Sequence, residues 1–348
     1  MAGPRAAVAL LLALATPAAA QEPRVTRQQS GVTVLLQSVS AVDERTVWAG
    51  GAGGTVLLTR DGGDSWERRP IPGAERLEFR GIHALSASEA WAMSAGPGPQ
   101  SRIYHTRDGG ATWTQQFLNT DSTAFYDCIT FFDARHGIAY SDASQGRTVI
   151  LRTADGGSSW SLLPPAAVPA PLTGEGGFAS SNSCAVSVDR EHGWIAASEP
   201  GARIFRTDDA GQSWRVVASA TPFVHDSQAG ITALSFRDPT HGIGVAARVN
   251  RAMARDTEPA AVATTADGGA TWVLRHRPAP PGSLSGVALV PGASDRTAVI
   301  ASYGGVFYTH DNGDSWTSVA TDAYWAVRAA GRRAWAVGTN GRITRIEF

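Results

Sequence analysis

The chain has 348 residues, of which 43% are hydrophobic, and this length can bury the core of one large domain or of two ordinary ones. Its 30 basic residues are all arginine and balance 31 acidic residues, so the formal net charge of −1 excludes a general electrostatic attraction to nucleic acid or to an anionic membrane. Two cysteines are too few for a fold that depends on a disulfide scaffold.

The first 20 residues have the pattern of a secretory signal sequence. They contain one arginine, an apolar stretch at residues 6–15, and the small residues Ala18 and Ala20 where a signal peptidase reads. We therefore expect cleavage before Gln21, a single domain over residues 21–348, and export to the periplasm or the extracellular medium. The apolar stretch is too short to span a bilayer, and no cysteine follows the cleavage position to carry a lipid, so no membrane insertion is expected.

The string TRDGGDSWER, at residues 59–68, returns in similar form five more times, beginning at residues 106, 153, 207, 265 and 309. The interval is roughly 45 to 60 residues, which is typical of a β-propeller blade. Within one interval, short apolar runs and polar turns follow a constant order that predicts four antiparallel strands. Side chains in runs such as residues 55–59 point to alternate faces, and neighbouring blades would cover both.

The second strand of this unit can be recognised seven times, whereas the DGG type of turn occurs six times, because the last unit ends after its third strand. The N-terminal run RVTRQQS, residues 24–30, resembles a fourth strand and can complete that unit. Pairing of the two chain ends removes the free sheet edges of a linear stack. The sequence therefore predicts an all-β fold, a single seven-bladed β-propeller closed by its terminal strands, with six blades as the alternative.

The recurring string S/T-x-D-x-G-x-S/T-W resembles the Asp-box, or BNR repeat, of bacterial sialidases and other propellers. The aspartate of such a turn accepts hydrogen bonds from its own loop, glycine supplies a positive φ, and tryptophan covers the hairpin. All six turns would lie around the edge of one face of the disc, so we interpret them as structural and expect no metal there. Their aspartates and tryptophans are Asp61, Asp108, Asp155, Asp209, Asp267 and Asp311, and Trp66, Trp113, Trp160, Trp214, Trp272 and Trp316.

Ligands of propellers usually enter on the face opposite to such turns, at the mouth of the central channel. Two long loops, residues 163–178 and 247–260, favour the part of that face on blades three to five. The candidate catalytic residues are carboxylates that either cap turns or form an acid/base pair for glycoside hydrolysis: Asp127, Asp142, Glu175 and Asp226. The candidate ligand-binding residues are Arg80, Tyr126, Arg147, His225, Arg248 and Arg251.

Cys128 and Cys184 occupy the same position in two aligned strings, DCITFFDARHG and SCAVSVDREHG. They would lie at equal height on the innermost strands of adjacent blades. The pair is either one disulfide or two buried thiols, and the spacing alone leaves both alternatives open. The sequence has no H-E-x-x-H or C-x-x-C string, so we expect no metal ion and no cofactor.

The complete repeat, with D-x-x-H-G-x-A followed by G-x-I-x-x-T-x-D-G-G-x-T-W, resembles the photosystem II assembly factor type of BNR propeller over residues 24–348. Its exported bacterial branch carries names that include oxidoreductase and glycosyl hydrolase. The resemblance implies a non-catalytic platform that binds a protein partner. We therefore predict an exported, monomeric platform that binds a protein or a glycan.

A glycoside hydrolase is the alternative function. The F-R-I-P segment of sialidases is reduced to FRGI at residues 79–82, which argues against a sialidase. The glycine-rich run GAGGT at residues 51–55 joins two predicted strands, whereas a dinucleotide site needs a turn from a strand to a helix, so the sequence does not support an oxidoreductase.

Overall fold

Runs of β-branched, aromatic and small residues, separated by turns rich in glycine and aspartate, give this chain strands and almost no helix. The computed structural model describes residues 22–348 except 199–201, 219–221, 224–228, 249–259 and 280–281. Within the described residues, 28 strands form seven four-stranded antiparallel sheets. The predicted signal sequence and the candidate residues His225, Asp226 and Arg251 lie outside the described residues.

Each sheet is a meander of four strands, and each forms one blade. Blade one contains β2 Leu36–Ala41, β3 Val47–Gly51, β4 Thr55–Thr59 and β5 Glu67–Arg68, and blade two contains β6 Phe79–Ala84, β7 Ala90–Ser94, β8 Arg102–Thr106 and β9 Thr114–Leu118. Blade three contains β10 Tyr126–Phe131, β11 Gly137–Ser144, β12 Arg147–Thr153 and β13 Ser161–Leu162, and blade four contains β14 Ala185–Ser187, β15 Gly193–Ala197, β16 Arg203–Thr207 and β17 Arg215–Ala218.

Blade five contains β18 Ala229–Phe236, β19 Gly242–Arg248, β20 Ala260–Thr265 and β21 Val273–Arg275, and blade six contains β22 Leu284–Leu289, β23 Ala298–Ser302, β24 Gly305–Thr309 and β25 Thr317–Ala320. Blade seven contains β26 Tyr324–Ala330, β27 Arg333–Gly338, β28 Ile343–Glu347 and the N-terminal strand β1 Arg24–Gln28. Three short 3₁₀ turns are formed by Gly98–Gln100, Pro165–Ala167 and Thr339–Gly341.

The first strands of the blades surround a central channel. The strands β2, β6, β10, β14, β18, β22 and β26 contact one another in succession, and β26 returns to contact β2. Apolar side chains of facing sheets fill the space between the blades. Four tryptophans of the second strands are fully buried there, and each donates its indole N–H to a backbone carbonyl in a turn of the next blade, at 2.8 to 3.2 Å: Trp48, Trp91, Trp194 and Trp335.

The ring closes where β1 pairs with β28 in antiparallel register, from Arg24 opposite Glu347 to Gln28 opposite Ile343. The Gln28 side chain is buried and fastens this strand to blade one, because its Nε2 donates to Gly62 O at 2.8 Å and its Oε1 accepts from Trp66 Nε1 at 3.2 Å. The prediction of seven blades closed by the terminal strands is therefore confirmed, and the six-bladed alternative is wrong.

The six Asp-box turns all join a third strand to a fourth strand, and each has the same internal hydrogen bonds. In blade three, Thr153 Oγ1 and Ser159 N–H each donate to Asp155 Oδ1 at 2.9 Å, and Ser159 Oγ donates to Asp155 Oδ2 at 2.6 Å. The hydrogen bond from the Ser159 hydroxyl is the main reason why the pKa of Asp155 falls to about 2. These carboxylates are therefore used by their own loops, which agrees with a structural role.

Candidate functional site

Residues 178–184, which we call the plug, leave the sheet of blade four and enter the central channel. The first strand of that blade, β14, therefore keeps only three residues. The plug bonds to first strands on different sides of the ring. In blade five, Leu234 N–H donates to Ser183 O at 2.9 Å. In blade seven, the Arg328 guanidinium donates to Ser183 Oγ at 2.6 Å and to Asn182 O at 2.9 Å.

Asn182 holds the plug against blades two and three. Its Oδ1 accepts from Ile129 N–H at 2.8 Å, and its Nδ2 donates to the carbonyls of Ile82 and Ile129, both at 3.1 Å. The side chain is buried, and the backbone φ of 58° lies in the left-handed region, which asparagine adopts more readily than most residues. One side chain thus joins the plug to two neighbouring blades.

Both ends of the plug are fastened. At its C-terminal end, Cys184 forms a disulfide with Cys128 of blade three, and the two Cα atoms are 5.9 Å apart. Before its N-terminal end, the buried carboxylate of Glu175 accepts from Arg203 Nε at 2.6 Å and from Arg203 Nη2 at 2.5 Å. The carbonyl of Gly176 also accepts from Ser198 N–H at 2.8 Å. The plug is therefore a fixed part of the fold.

A cavity of about 380 Å³ opens beside the plug, on the face opposite to the Asp-box turns. Its walls come from residues that precede or begin first strands, from the end of β11, and from the plug. The lining residues are Leu35, Gln37, Glu78, Arg80, Phe125, Asp127, Asp142, Gly177, Phe178, Ala179, Ser180 and Trp325. Blades one, two, three and seven and the plug thus meet at one site of a size that suits a small ligand or a side chain.

Asp127 and Asp142 form a carboxyl pair in this cavity. Asp127 is 2% exposed, its carboxyl group lies beside that of Asp142, and Gly177 N–H donates to Asp142 Oδ1 at 3.1 Å. Burial raises the pKa of Asp127 well above its usual range, and the neighbouring charge of Asp142 raises it further; burial also raises the pKa of Asp142. Ionisation of both groups therefore needs a higher pH than ionisation of two isolated aspartates.

Two glycines allow the loop before the plug to approach this pair. A Cβ atom on Gly176 would lie 2.1 Å from Asp142 Oδ1, and a Cβ atom on Gly177 would lie 3.2 Å from Asp127 Oδ2. The first distance is impossible without a shift of the loop or of the carboxylate. The Gly-Gly step in the string GEGGF is therefore needed for close contact between the backbone and the carboxyl pair.

Three buried polar atoms at the cavity have no hydrogen-bond partner within the described protein: Gln37 Oε1, Asp127 Oδ2 and Trp325 Nε1. Gln37 and Asp127 are each 2% exposed, and Trp325 is 8% exposed. Buried polar atoms are nearly always paired, since an unpaired one costs about 1–3 kcal/mol. Two acceptors and one donor are thus available to a group that enters the cavity.

The structure brings only part of the predicted site together. Arg80, Asp127 and Asp142 line the cavity, whereas the other described candidates do not. Glu175 is bound to Arg203, as described above. Tyr126 is 4% exposed and packs edge to face against Phe117 between blades two and three. Arg147 is exposed at the hairpin from β11 to β12, and Arg248 ends β19, where its carbonyl accepts from Ser283 Oγ at 3.0 Å.

The sequence reasoning missed Gln37, Trp325 and Phe178 as cavity residues. Gln37 and Trp325 occupy the same place in their blades as Arg80 and Asp127, because the register with the second strand shifts at each of these positions. A β-bulge of this kind turns one extra side chain out of the ladder. An alignment of the repeats that compares the residues just after Leu36, Phe79, Tyr126 and Tyr324 would have identified Gln37 and Trp325 as cavity residues.

His83 of β6 lies deeper in the channel than the cavity, and we expect it to make the stability of the protein depend on pH. Burial, together with the nearby charge of Arg328, lowers the pKa of His83 to about 4 from its usual 6.5. As the pH falls, the His83 imidazole is protonated in the unfolded chain at a higher pH than in the folded protein. The contribution of His83 to the unfolding free energy is therefore fully present above about pH 6.5 and is lost as the pH falls to about 4. The full loss is about 3 kcal/mol.

Urea unfolding of the wild type and of His83→Asn at pH 7 and at pH 4.5 will test this expectation. The difference in unfolding free energy between the two pH values should be smaller in the variant by about 2 kcal/mol or more. His276→Asn is the control, since His276 is exposed. An equal pH dependence in all three proteins would show that His83 does not titrate abnormally.

The described residues contain neither a membrane-spanning helix nor a cluster of metal-binding side chains. No helix in the described part of the chain is long and apolar enough to cross a membrane. Likewise, no three histidine, cysteine, aspartate or glutamate side chains among the described residues are grouped so that they could hold a metal ion. The cavity beside the plug is therefore the feature on which a functional proposal can be built.

Comparison with known proteins gives a match at the level of sequence. Residues 19–124 match the family model described as Photosynthesis system II assembly factor YCF48. The photosystem II assembly lipoprotein Ycf48 of Synechococcus sp. (strain CC9605) is 44% identical over 52 residues, which are 14% of this chain and 16% of that protein. The match thus spans about a sixth of the curated relative.

Solved structures show the same fold over most of the chain. The structure of YCF48 bound to D1 peptide has a TM-score of 0.64 and 16% identity, and the match covers 94% of this chain and 97% of that chain. An ancestral GH74 enzyme has a TM-score of 0.63 and 13% identity, with 90% of this chain and 45% of that chain covered. At these identities the structural matches establish the fold alone. In repeat pattern and in fold, the chain is a seven-bladed β-propeller with Asp-box turns, and its residues 19–124 are similar to the photosystem II assembly factor family.

Proposed function

We propose that this chain is a non-catalytic propeller that binds an exported protein partner at the cavity beside the plug. The observation that carries the proposal is the set of buried, unpartnered polar atoms of Gln37, Asp127 and Trp325 at one opening. Burial of such atoms without a partner lowers the stability of the folded protein, and a bound group that pairs with them removes this cost. A propeller of the same fold has been solved with the D1 peptide bound, which supports a peptide as the kind of ligand.

Three observations support export of the chain, and the partner would be exported to the same compartment. The first 20 residues have the pattern of a signal sequence. The Cys128–Cys184 disulfide belongs to an oxidising compartment outside the cytoplasm. The curated relative is described as a lipoprotein, which is consistent with an exported protein.

The alternative is a glycoside hydrolase, which the shared fold with a GH74 enzyme suggests. Retaining and inverting glycosidases hold their two carboxyl groups about 5 Å or more apart, with the scissile bond between them. The carboxyl groups of Asp127 and Asp142 instead lie next to each other and interact directly, which leaves no room for a sugar between them. Glu175 is bound by Arg203 through two hydrogen bonds, so it is not available as a general acid. The geometry of these residues therefore favours binding.

Site-specific photo-crosslinking in the producing cells will test the proposal. The photoreactive residue p-benzoylphenylalanine replaces Phe178 in the cavity wall or, as the control, Val273 on the outer strand of blade five, which is 57% exposed. We expect a discrete crosslinked protein from position 178 and none from position 273. Crosslinks of equal yield at both positions, or none at position 178, would contradict binding at the cavity.

A second experiment tests the hydrolase alternative: the purified wild-type protein is incubated with aryl glycosides and with xyloglucan oligosaccharides. We expect no turnover of either substrate. Hydrolysis that is abolished by Asp142→Asn or by Glu175→Gln would replace the binding proposal with the hydrolase. Binding of the oligosaccharide without turnover, lost in Trp325→Ala, would identify a glycan as the ligand in place of a protein.

A further inference from the structure

The cavity has an excess of acidic groups. Its four charged side chains are Glu78, Arg80, Asp127 and Asp142. Arg80 is occupied by Glu78, because its Nε and Nη2 donate to Glu78 Oε2 at 2.9 and 2.5 Å. Among the described residues, neither aspartate forms a salt bridge. The charge of Arg80 acts on Asp127 from a distance and lowers its pKa, but the carboxyl pair has no salt-bridge partner among the described residues.

The free acceptors point to a ligand group with several donors. Asp127 Oδ2 and Gln37 Oε1 belong to different blades, and neither has a partner within the described protein. Phe125, Phe178 and Trp325 add aromatic walls to the same cavity. A guanidinium group presents donors in several directions and stacks on aromatic rings, whereas an ammonium group is a compact and strongly hydrated charge. The lining thus matches arginine better than lysine.

The remaining unpartnered atom is a donor. Trp325 Nε1 is buried and needs an acceptor, which a guanidinium cannot provide. A backbone carbonyl next to the arginine would supply it. The ligand that satisfies all three atoms therefore combines an arginine side chain with a peptide backbone.

We propose that the cavity recognises an arginine side chain of an extended peptide, with its guanidinium against Asp127, Asp142 and Gln37 and a neighbouring carbonyl on Trp325 Nε1. This inference rests on the proposed function and names the chemistry of the partner. Entry of the cation favours the ionised form of both carboxyl groups, and a proton bound to the pair then passes to the solvent. Binding therefore releases up to one proton per site.

Isothermal titration calorimetry with acetyl-Ala-Arg-Ala-amide as the probe will test the inference. We expect saturable binding that is at least about tenfold tighter than that of the citrulline peptide, in which an uncharged group replaces the guanidinium. The lysine peptide should bind more weakly than the arginine peptide. Titrations in two buffers with different ionisation enthalpies should reveal proton release on binding. Equal affinity for the arginine and citrulline peptides would overturn the inference.

Point variants distinguish binding at the carboxyl pair from a general effect of the net charge on peptide affinity. Asp142→Asn should weaken the arginine peptide at least about tenfold, whereas Glu191→Gln, which makes the same charge change at an exposed residue on the Asp-box face, should have no effect. Trp325→Phe keeps an aromatic ring without the N–H and should weaken binding about threefold, so it tests the site even if Asp142→Asn folds poorly. Unchanged affinity in Trp325→Phe and in a folded Asp142→Asn would place any binding elsewhere.

The two proposals can fail separately. A crosslinked partner at position 178 together with no preference for arginine would leave the binding function in place and remove the inference about arginine. Specific binding of the arginine peptide without any crosslink at position 178 in cells would keep the ligand chemistry and remove the protein partner.

Discussion

A variant that lacks residues 22–28 is expected to lose roughly 3 to 6 kcal/mol of unfolding free energy, because the five residue pairs between β1 and β28 and the side-chain bonds of Gln28 are lost together. The exposed edge of β28 would also uncover part of the buried residues Ile343 and Ile346. Guanidinium unfolding monitored by tryptophan fluorescence will measure the change in stability.

A synthetic peptide of residues 22–30 provides the control for this deletion. Added in excess, it should bind the open edge of β28 and restore most of the lost stability, because the missing strand contributes only through this pairing and its contacts with blade one. Size-exclusion chromatography should show that the deletion variant associates through the free edge and that the peptide restores the elution volume of the wild type. An unchanged unfolding midpoint after the deletion would mean that ring closure contributes little.

The closure could be predicted from the sequence because its signals are local. Each Asp-box marks the turn between a third and a fourth strand, and the third strand of the seventh unit, residues 343–347, carries no Asp-box. The run at residues 24–30, which resembles a fourth strand, is therefore the candidate to complete that unit. Hydrogen bonds within each turn, such as those from Thr153 and Ser159 to Asp155, depend on neighbouring residues only, so the repeat pattern contains them.

The plug could not be predicted in the same way. The alignment of Cys184 with Cys128 treats the residues before Cys184 as the start of an ordinary first strand, whereas they bend into the channel. The bonds that hold them there join Asn182 to Ile82, 100 positions away, and to Arg328, 146 positions away. Nothing in the local string FASSNSC specifies these distant partners.

Only part of the candidate site could be predicted, because some of its contacts also join residues that are distant in the sequence. Asp127 and Asp142 lie on adjacent strands of one blade, so the repeat brings them to the same edge of a sheet. The contribution of Trp325 requires the ring to close, and the engagement of Glu175 by Arg203 depends on how the loop before the plug folds. A carboxylate can thus be assigned to a face from the sequence, but its partner follows from the tertiary structure.

Substitution of Asn182 by alanine is expected to destabilise the protein by about 3 to 5 kcal/mol, the second large effect that the structure predicts. The change removes three hydrogen bonds and leaves buried backbone groups of Ile82 and Ile129 without partners. It also places alanine at a φ of 58°, which adds about 1 kcal/mol of backbone strain. Urea unfolding will measure the loss.

Two matched variants separate these contributions. Asn340 has a φ of 57° and an exposed side chain, so Asn340→Ala carries the backbone strain without the buried hydrogen bonds and should cost only about 1 kcal/mol. Asn182→Gly relieves the strain and should retain most of the loss, because the hydrogen bonds are still absent. Similar costs for Asn182→Ala and Asn340→Ala would show that the side chain of Asn182 does not anchor the plug.

The variant Asn182→Gly also tests whether the plug affects ligand binding. Phe178, Ala179 and Ser180 belong both to the plug and to the cavity wall, so loosening the anchor at Asn182 should disturb the wall before the whole protein unfolds. At a temperature where Asn182→Gly is still folded, we expect its affinity for the arginine peptide to fall several-fold, and amide hydrogen exchange in residues 178–184 to increase. Faster exchange with unchanged affinity would mean that the plug closes the channel without shaping the cavity.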